Sequence, residues 1–124
     1  MSQLFLSLGA VYGLLGVALG AFGAHALRAR VAPDMLAIWK TAVEYQMYHA
    51  FALLAVGVLF RVLPTPGPLA AAGGCFAGGV LVFSGSLYAL TLSGVRVLGA
   101  ITPIGGVLFL AGWLLLLLAV WRSA

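Results

Sequence analysis

The chain has 124 residues, of which 65% are hydrophobic and 6% charged, and its formal net charge at pH 7 is +4. Ordinary soluble domains carry about 25% charged residues, so this composition excludes one and indicates a small integral membrane protein. The basic side chains are too sparse for a nucleic-acid surface and are better explained as anchors at segment ends. The single cysteine excludes an intramolecular disulfide.

The first hydrophobic segment carries a stripe of glycines. Their spacing alternates between four and three residues, which places them within an arc of roughly 80° on a helix. Small residues at such spacing let membrane helices approach closely, so we expect the other helices to pack against this one. The glycines are Gly9, Gly13, Gly16, Gly20 and Gly23.

Prolines bound the second and third segments. Pro33 indicates a helix start, and the proline-rich connection 61–68 cannot continue a helix. The third segment carries a second glycine stripe, within roughly 40° of arc. Its glycines are Gly74, Gly78 and Gly85.

The fourth segment has an irregular start, because Pro103 would weaken a helix that began at Val97. We predict Thr102 as the N-cap and Pro103 as the first helical residue. The preceding residues can then approach as an irregular segment, which the membrane tolerates only where protein covers it. The predicted fold is an all-α, four-transmembrane-helix up-down bundle in which glycine stripes pack between helices. This single domain covers residues 1–124, with spans at approximately 3–27, 36–60, 69–90 and 98–121.

Basic residues favour one orientation of this bundle. The connections 25–40 and 91–97 lie on one face with Arg28, Arg30, Lys40 and Arg96, whereas the opposite face has Arg61 and Arg122. Since basic loops tend to stay in the cytoplasm, we expect the richer face there and both termini outside.

The second helix carries the candidate chemistry. Thr41, Glu44, Tyr45 and Tyr48 fall within roughly 100° of arc, with His49 at the edge. Glu44 is expected about 9 Å inside the membrane boundary. A charged carboxylate at that depth costs several kcal/mol without a partner. We therefore expect the Glu44 carboxyl group to be paired, protonated or in a water-filled cavity.

Short connections make the first two helices antiparallel neighbours. We therefore expect Gly20 level with Glu44 and Gly16 level with His49, so that the glycine stripe makes room for the polar face. Further polar side chains at the same end of the bundle complete a candidate functional cluster. The cluster comprises His25, Lys40, Thr41, Glu44, Tyr45, Tyr48, His49, Ser84, Ser86, Tyr88, Arg96 and Thr102.

Two explanations of this cluster remain open. In the structural one, Glu44 pairs with a basic neighbour such as Lys40, and the other polar groups hold helices together. In the functional one, Glu44 titrates with help from Tyr48 and His49, as in a small transporter or proton-handling protein. The apolar half 50–60 offers no polar residue to continue a path. That absence favours either a non-enzymatic component that packs, or that binds lipid or a partner, or else a pocket open to one side of the membrane.

Residue patterns for catalysis and metal binding are absent. Glu44 and His49 are five residues apart and point about 140° from each other, so one helix cannot present both to a metal. Ser84-Gly85-Ser86 lacks the flanking signature of a nucleophile elbow. We expect no catalytic residue, no cofactor, no metal and no nucleic-acid partner. The expected partners are membrane lipid, a second copy or a larger membrane protein.

Five stretches carry recognisable motifs: Gly16–Leu27, Trp39–Ala50, Phe83–Tyr88, Thr102–Gly106 and Gly112-Trp113. Together they resemble the small membrane proteins grouped as domain of unknown function 423, the transmembrane-protein-256-like family. The resemblance covers nearly the whole chain. It implies a multi-pass protein of the bacterial cell (inner) membrane with no established activity, so no residue receives a catalytic role from it.

Overall fold

A computed structural model describes residues 1–123, and over this range it consists of four long helices joined by short connections. Helix α1 comprises Ser2–His25, α2 Pro33–Val62, α3 Leu69–Ser93 and α4 Thr102–Arg122. Each of the four is long and apolar enough to cross a membrane. The predicted all-α fold with four transmembrane helices is confirmed.

The local sequence sets where the helices start and stop. Pro33 and Pro103 lie in the first turns of α2 and α4. Backbone N–H groups there have no intrahelical acceptor, so the N–H that proline lacks is not needed. Helix α3 ends at Gly94, whose φ of 74° is the left-handed conformation that glycine adopts most readily. Short 3-10 turns, Leu27–Ala29 and Arg96–Ala100, occupy the two connections at this end of the bundle.

Helix α4 starts after a short 3-10 approach. Arg96–Ala100 is a 3-10 turn, Ile101 is the N-cap, and Thr102 is the first helical residue. Thr102 is therefore not the N-cap, contrary to the sequence-based expectation. Its hydroxyl lies 2.6 Å from that of Ser86 instead, a hydrogen bond that holds α4 to α3 rather than capping the helix.

Helices α2 and α3 form the centre of the bundle. Helix α1 packs mainly against α2 and α4 packs mainly against α3, and the two outer helices are less buried than the central two. The expectation that the other helices pack against α1 is therefore wrong. The glycine stripe of α1 lets one helix approach closely, and most of the remaining surface of α1 faces outward.

Several glycines at the helix contacts lie against aromatic rings of neighbouring helices. The Trp39 ring of α2 packs on Gly23 of α1, and the Phe5 ring of α1 packs on Gly73 of α3. A Cβ at Gly23 would lie 2.6 Å from the Trp39 ring, which is closer than van der Waals contact allows. The close helix spacing therefore depends on these glycines.

Polar contacts link the helices at both ends. At the end with the 3-10 turns, the Arg96 guanidinium donates a hydrogen bond to the Asp34 carboxylate at 2.8 Å. At the opposite end, Arg61 Nε donates to Ser2 Oγ at 2.7 Å. The amino terminus therefore lies at the end that holds the α2–α3 connection, as an up-down topology requires.

Candidate functional site

Helix α2 carries polar side chains on two opposite sides. We call the buried set the inner row; it consists of Trp39, Gln46 and His49. We call the exposed set the outer stripe; it consists of Lys40, Glu44 and Tyr48. Gln46 and Glu44 are two residues apart, which separates them by about 200° around the helix. The two sets therefore face different surroundings.

Gln46 links three helices in the interior. It is 3% exposed; its Nε2 donates to the Tyr12 carbonyl at 2.9 Å, and its Oε1 accepts from the Tyr88 hydroxyl at 2.6 Å. A buried amide in a membrane protein needs such partners because lipid supplies none. Gln46 was not among the residues predicted from the sequence. Ala42 and Ala50, one turn on either side, were the available signal, since small residues beside a polar one are typical of a membrane-helix contact.

His49 joins α2 to α4. Its Nδ1 lies 2.7 Å from the Tyr45 carbonyl oxygen, and its Nε2 accepts from the Trp113 indole N–H at 3.1 Å. A carbonyl only accepts and an indole only donates, so the ring is neutral with its proton on Nδ1. The ring also stacks on Phe109 with centroids 3.6 Å apart. Neither nitrogen is left to take a proton or bind a metal.

Other polar groups of the interior have hydrogen-bond partners as well. The Trp39 indole donates to the Leu19 carbonyl at 2.9 Å, and the Ser84 hydroxyl donates to the Ala42 carbonyl at 2.7 Å. Within residues 1–123, no buried side-chain nitrogen or oxygen lacks a hydrogen-bond partner. The interior polar groups are therefore occupied in holding the helices together.

The structure divides the predicted polar cluster between interior and surface. The buried or half-buried members are Thr41, His49, Ser84, Ser86, Tyr88 and Thr102. The exposed members are His25, Lys40, Glu44, Tyr45, Tyr48 and Arg96. The cluster is thus not one continuous site, because the outer stripe is exposed on the side of the bundle whereas the inner row is buried between helices.

Glu44 is exposed on the side of the bundle. Asp34 forms an ion pair with Arg96. Within the part of the chain that the structure describes, Glu44 forms no ion pair. Lys40 lies one turn away on the same stripe but does not approach within ion-pair distance. The pairing of Glu44 with Lys40, which the structural explanation offered, is therefore not formed within residues 1–123.

A groove of about 140 Å³ lies between α1 and α2 beside the outer stripe. The groove is lined by the Trp39 ring and by Gly20, Gly23, Ala24, Lys40, Val43 and Glu44. Gly20 and Glu44 therefore lie near one another, but in a groove that opens outward rather than inside the bundle. Gly16 lies against Met47 and not His49, because His49 faces α4.

The glycines of the two predicted stripes differ in what surrounds them. A Cβ would lie within 3.3 Å of an α2 atom at Gly9, Gly16, Gly20 and Gly23. A Cβ would meet no other atom within 4 Å at Gly13, Gly74 and Gly85, and at Gly78 only Leu108, at 3.9 Å. Within residues 1–123, the second stripe is therefore not a close helix contact. Helix α3 uses Gly73 and Gly79 instead, against Phe5 and Phe109.

Comparison with known proteins agrees with the motifs. The family model described as "Protein of unknown function (DUF423)" matches residues 19–106. The chain is 45% identical over 122 residues to UPF0382 membrane protein SAB0533 of Staphylococcus aureus (strain bovine RF122 / ET3-1), with 98% of each chain covered. It is 44% identical over 117 residues to UPF0382 membrane protein YwdK of Bacillus subtilis (strain 168), which covers 94% of this chain and 95% of that one. No solved structure matches.

Proposed function

Because this chain belongs to the DUF423 family of membrane proteins, we propose that it is a non-enzymatic component of the bacterial cell membrane that binds lipid or another membrane protein through its outer stripe. The inner polar groups are engaged between helices, as Gln46 and His49 illustrate. Polar groups that remain available for binding lie on the outside of the bundle.

The observation that carries the proposal is the exposed position of Glu44. About 9 Å inside the boundary, a carboxyl group that faces lipid without a partner is unfavourable. Ionisable side chains at such depth normally face protein or a water-filled cavity. No partner comes from residues 1–123, so the partner is supplied from outside this chain.

A proton-handling role for Glu44 with Tyr48 and His49 has less support. Both ring nitrogens of His49 are already used, and Tyr48 is 55% exposed on the outer stripe. Residues 50–60 add no polar side chain along which a proton could continue. The three side chains therefore do not form a path across the membrane.

The distribution of basic residues supports an orientation within this proposal. The end of the bundle with the 3-10 turns holds Arg28, Arg30 and Arg96, and the first turns of α2 add Lys40. This end lies in the cytoplasm, and both termini lie outside. The outer stripe then begins at the cytoplasmic leaflet.

Native mass spectrometry of the protein in mild detergent tests the proposal. The wild type is compared with a Lys40→Leu/Glu44→Leu double variant and with Phe51→Leu, a control that alters an apolar position 63% exposed on the same helix. We expect the wild type and the control to carry the additional mass of a lipid or a further subunit. We expect the double variant to lose that mass while remaining folded.

Two results would overturn the proposal. The first is a wild type that is bare and monomeric, or a double variant that keeps all the additional mass. The second is proton flux through wild-type protein in vesicles with an imposed pH gradient, if Glu44→Gln abolishes that flux. This second result would support the proton-handling alternative.

A further inference from the structure

We infer that the outer stripe of α2 binds a transmembrane helix of a different membrane protein, one that carries a lysine or arginine at the depth of Glu44. The Glu44 carboxylate pairs with that basic side chain, and the Tyr48 ring packs beside it. The inference rests on the proposed function, because both assign binding to the outer stripe, and it adds the chemistry of the partner.

The two ionisable side chains of the outer stripe lie at different depths. Glu44 is about 9 Å inside the membrane boundary, and Lys40, one turn earlier, is about 3 Å inside. The Lys40 side chain is long and leans toward the near surface, so its ammonium group reaches water. The glutamate side chain is too short to reach that surface, so a charged Glu44 requires a cation within the hydrocarbon layer.

Within residues 1–123, no basic side chain of this chain is level with Glu44. The arginines lie in connections or in the last turns of helices, and Arg96 is paired with Asp34. His49 is deeper in the membrane, and both of its ring nitrogens are already used. Phospholipid headgroups remain outside the hydrocarbon layer, so they do not reach Glu44 either.

A second copy of this chain does not supply the cation. Copies related by an axis along the membrane normal lie at equal depth, so the Lys40 of a neighbouring copy is about 6 Å nearer the surface than Glu44 and reaches away from it. An inverted copy would bring its apolar half 50–60 level with Glu44. The partner is therefore a different protein.

The exposed face of α2 has the shape to receive a helix. Exposed residues continue the outer stripe in both directions at spacings of three and four, from residue 37 to residue 62, over about 37 Å. Two helices that pack along their length show this spacing. Lipid-facing positions share it, but they do not include a carboxyl group at such depth. The additional exposed residues are Ala37, Phe51, Ala55, Val58 and Val62.

Tyr48 adds a second contact for a basic side chain. It lies one turn deeper than Glu44 and about 40° from it around the helix, and a side chain in this position leans back over the preceding turn. Its ring is 55% exposed. A cation over an aromatic ring is stabilised, and more so away from water. Lys40 lies about 40° to the other side of Glu44, so the basic side chain of the partner fits on the Tyr48 side.

Photocrosslinking in the native membrane tests the inference. A photoreactive phenylalanine derivative, benzoylphenylalanine, replaces Phe51, which is 63% exposed and lies on the same face as Glu44. Mass spectrometry then sequences the cross-linked peptides. We expect an apolar segment of another membrane protein, with a lysine or arginine about two turns from the cross-linked residue, the separation of Phe51 and Glu44. The same photoreactive group at Leu110, 73% exposed on α4, is the control and should give no such segment.

Charge variants test the pairing at Glu44. At low expression, where the yield follows affinity, Glu44→Gln should lower the yield of this adduct about tenfold, the effect of losing one charge-assisted hydrogen bond. Lys40→Gln, which removes the neighbouring cation, is the matched control and should leave the yield unchanged. Glu44→Arg should abolish the adduct, and exchange of the partner's basic residue for glutamate should restore it. Circular dichroism confirms that each variant is folded.

The outcomes separate this inference from the proposed function. A wild type that cross-links only to lipid or to a second copy would overturn the inference, and so would an adduct whose yield Glu44→Gln does not change. If the lipid or the second copy is lost in the Lys40→Leu/Glu44→Leu variant, the proposed function still stands. A wild type without an adduct, or with adducts that depend on neither Lys40 nor Glu44, would overturn both.

Discussion

The two sides of helix α2 use polar residues in different ways. On the inner row, Gln46 and His49 each make two hydrogen bonds to neighbouring groups. On the outer stripe, Lys40 and Glu44 are exposed and form no ion pair within residues 1–123. The same helix thus holds the bundle together on one side and presents unpaired polar groups on the other.

This contrast separates stability from binding. A buried polar group with all its partners is part of the fold, so its removal should destabilise the protein. An exposed polar group without a partner in the chain contributes little to the fold, so its removal should change what the protein binds. The contrast makes opposite predictions for residues that are close neighbours in sequence.

The largest effect is expected for His49→Ala. The change removes two hydrogen bonds and the stacking on Phe109, and it leaves a cavity between α2 and α4. Large-to-small core substitutions cost about 2–5 kcal/mol, so we expect a loss in that range in the free energy of unfolding in mixed detergents. The adjacent Tyr48→Ala is the matched control and should change stability by no more than about 0.5 kcal/mol. Equal losses for the two variants would contradict the division of α2 into an inner and an outer side.

A smaller effect is expected for Gly9→Ala, which tests the contact that α1 makes with the buried side of α2. The new Cβ would lie 2.8 Å from the Ala50 carbonyl oxygen, and backbone cannot move aside as a flexible side chain can. Overpacking of this kind costs about 1–3 kcal/mol.

The matched control on α1 is Gly13→Ala. A Cβ there meets no other atom within 4 Å, and alanine is the better helix former by about 1 kcal/mol. Thermal unfolding should show Gly13→Ala equal to or more stable than wild type. A stable Gly9→Ala would mean that α1 packs less closely on α2 than described.

Gln46→Leu should cost less than either change above. Hydrogen bonds between membrane helices average about 0.6 kcal/mol, so losing two costs roughly 1 kcal/mol. Tyr88→Phe removes the hydroxyl of one of these bonds. In a double-mutant cycle, the combined variant should lose less stability than the sum of the single losses. Strict additivity would show that the Gln46–Tyr88 bond does not contribute to stability.

The smallest effect on stability is expected for Glu44→Gln. The change keeps the shape of the side chain and removes its charge, and no ion pair is lost within residues 1–123. The free energy of unfolding should stay within about 0.5 kcal/mol of wild type or rise. A loss of several kcal/mol would instead mean that Glu44 has a partner inside the fold whose charge has been left unpaired.

Hydropathy and prolines were sufficient to predict four helices and their connections. The antiparallel pairing of α1 and α2 also followed from the short connection, and Gly20 and Glu44 do line one groove. These features depend on chain length and on the order of apolar segments, which the sequence states directly.

The rotation of α2 about its axis could not be predicted in the same way. In a soluble helix the apolar side marks the core, but in lipid the outside is as apolar as the inside. His49 was predicted at the edge of the arc that holds Glu44, and Gln46, which lies about 200° from Glu44, was not predicted. Likewise, the glycines of α1 indicated close approach but not how many helices would approach.

The pairing of α1 with α2 and of α3 with α4 has a consequence for biogenesis. Each pair is a helical hairpin, and the proline-containing connection between α2 and α3 separates the two. The amino-terminal hairpin can enter the bilayer while the rest of the chain is still being synthesised. Gln46 then has its bond to Tyr12 within the first hairpin, whereas its bond to Tyr88 forms only when α3 arrives. Docking of the second hairpin therefore completes the polar pairing that the first one leaves open.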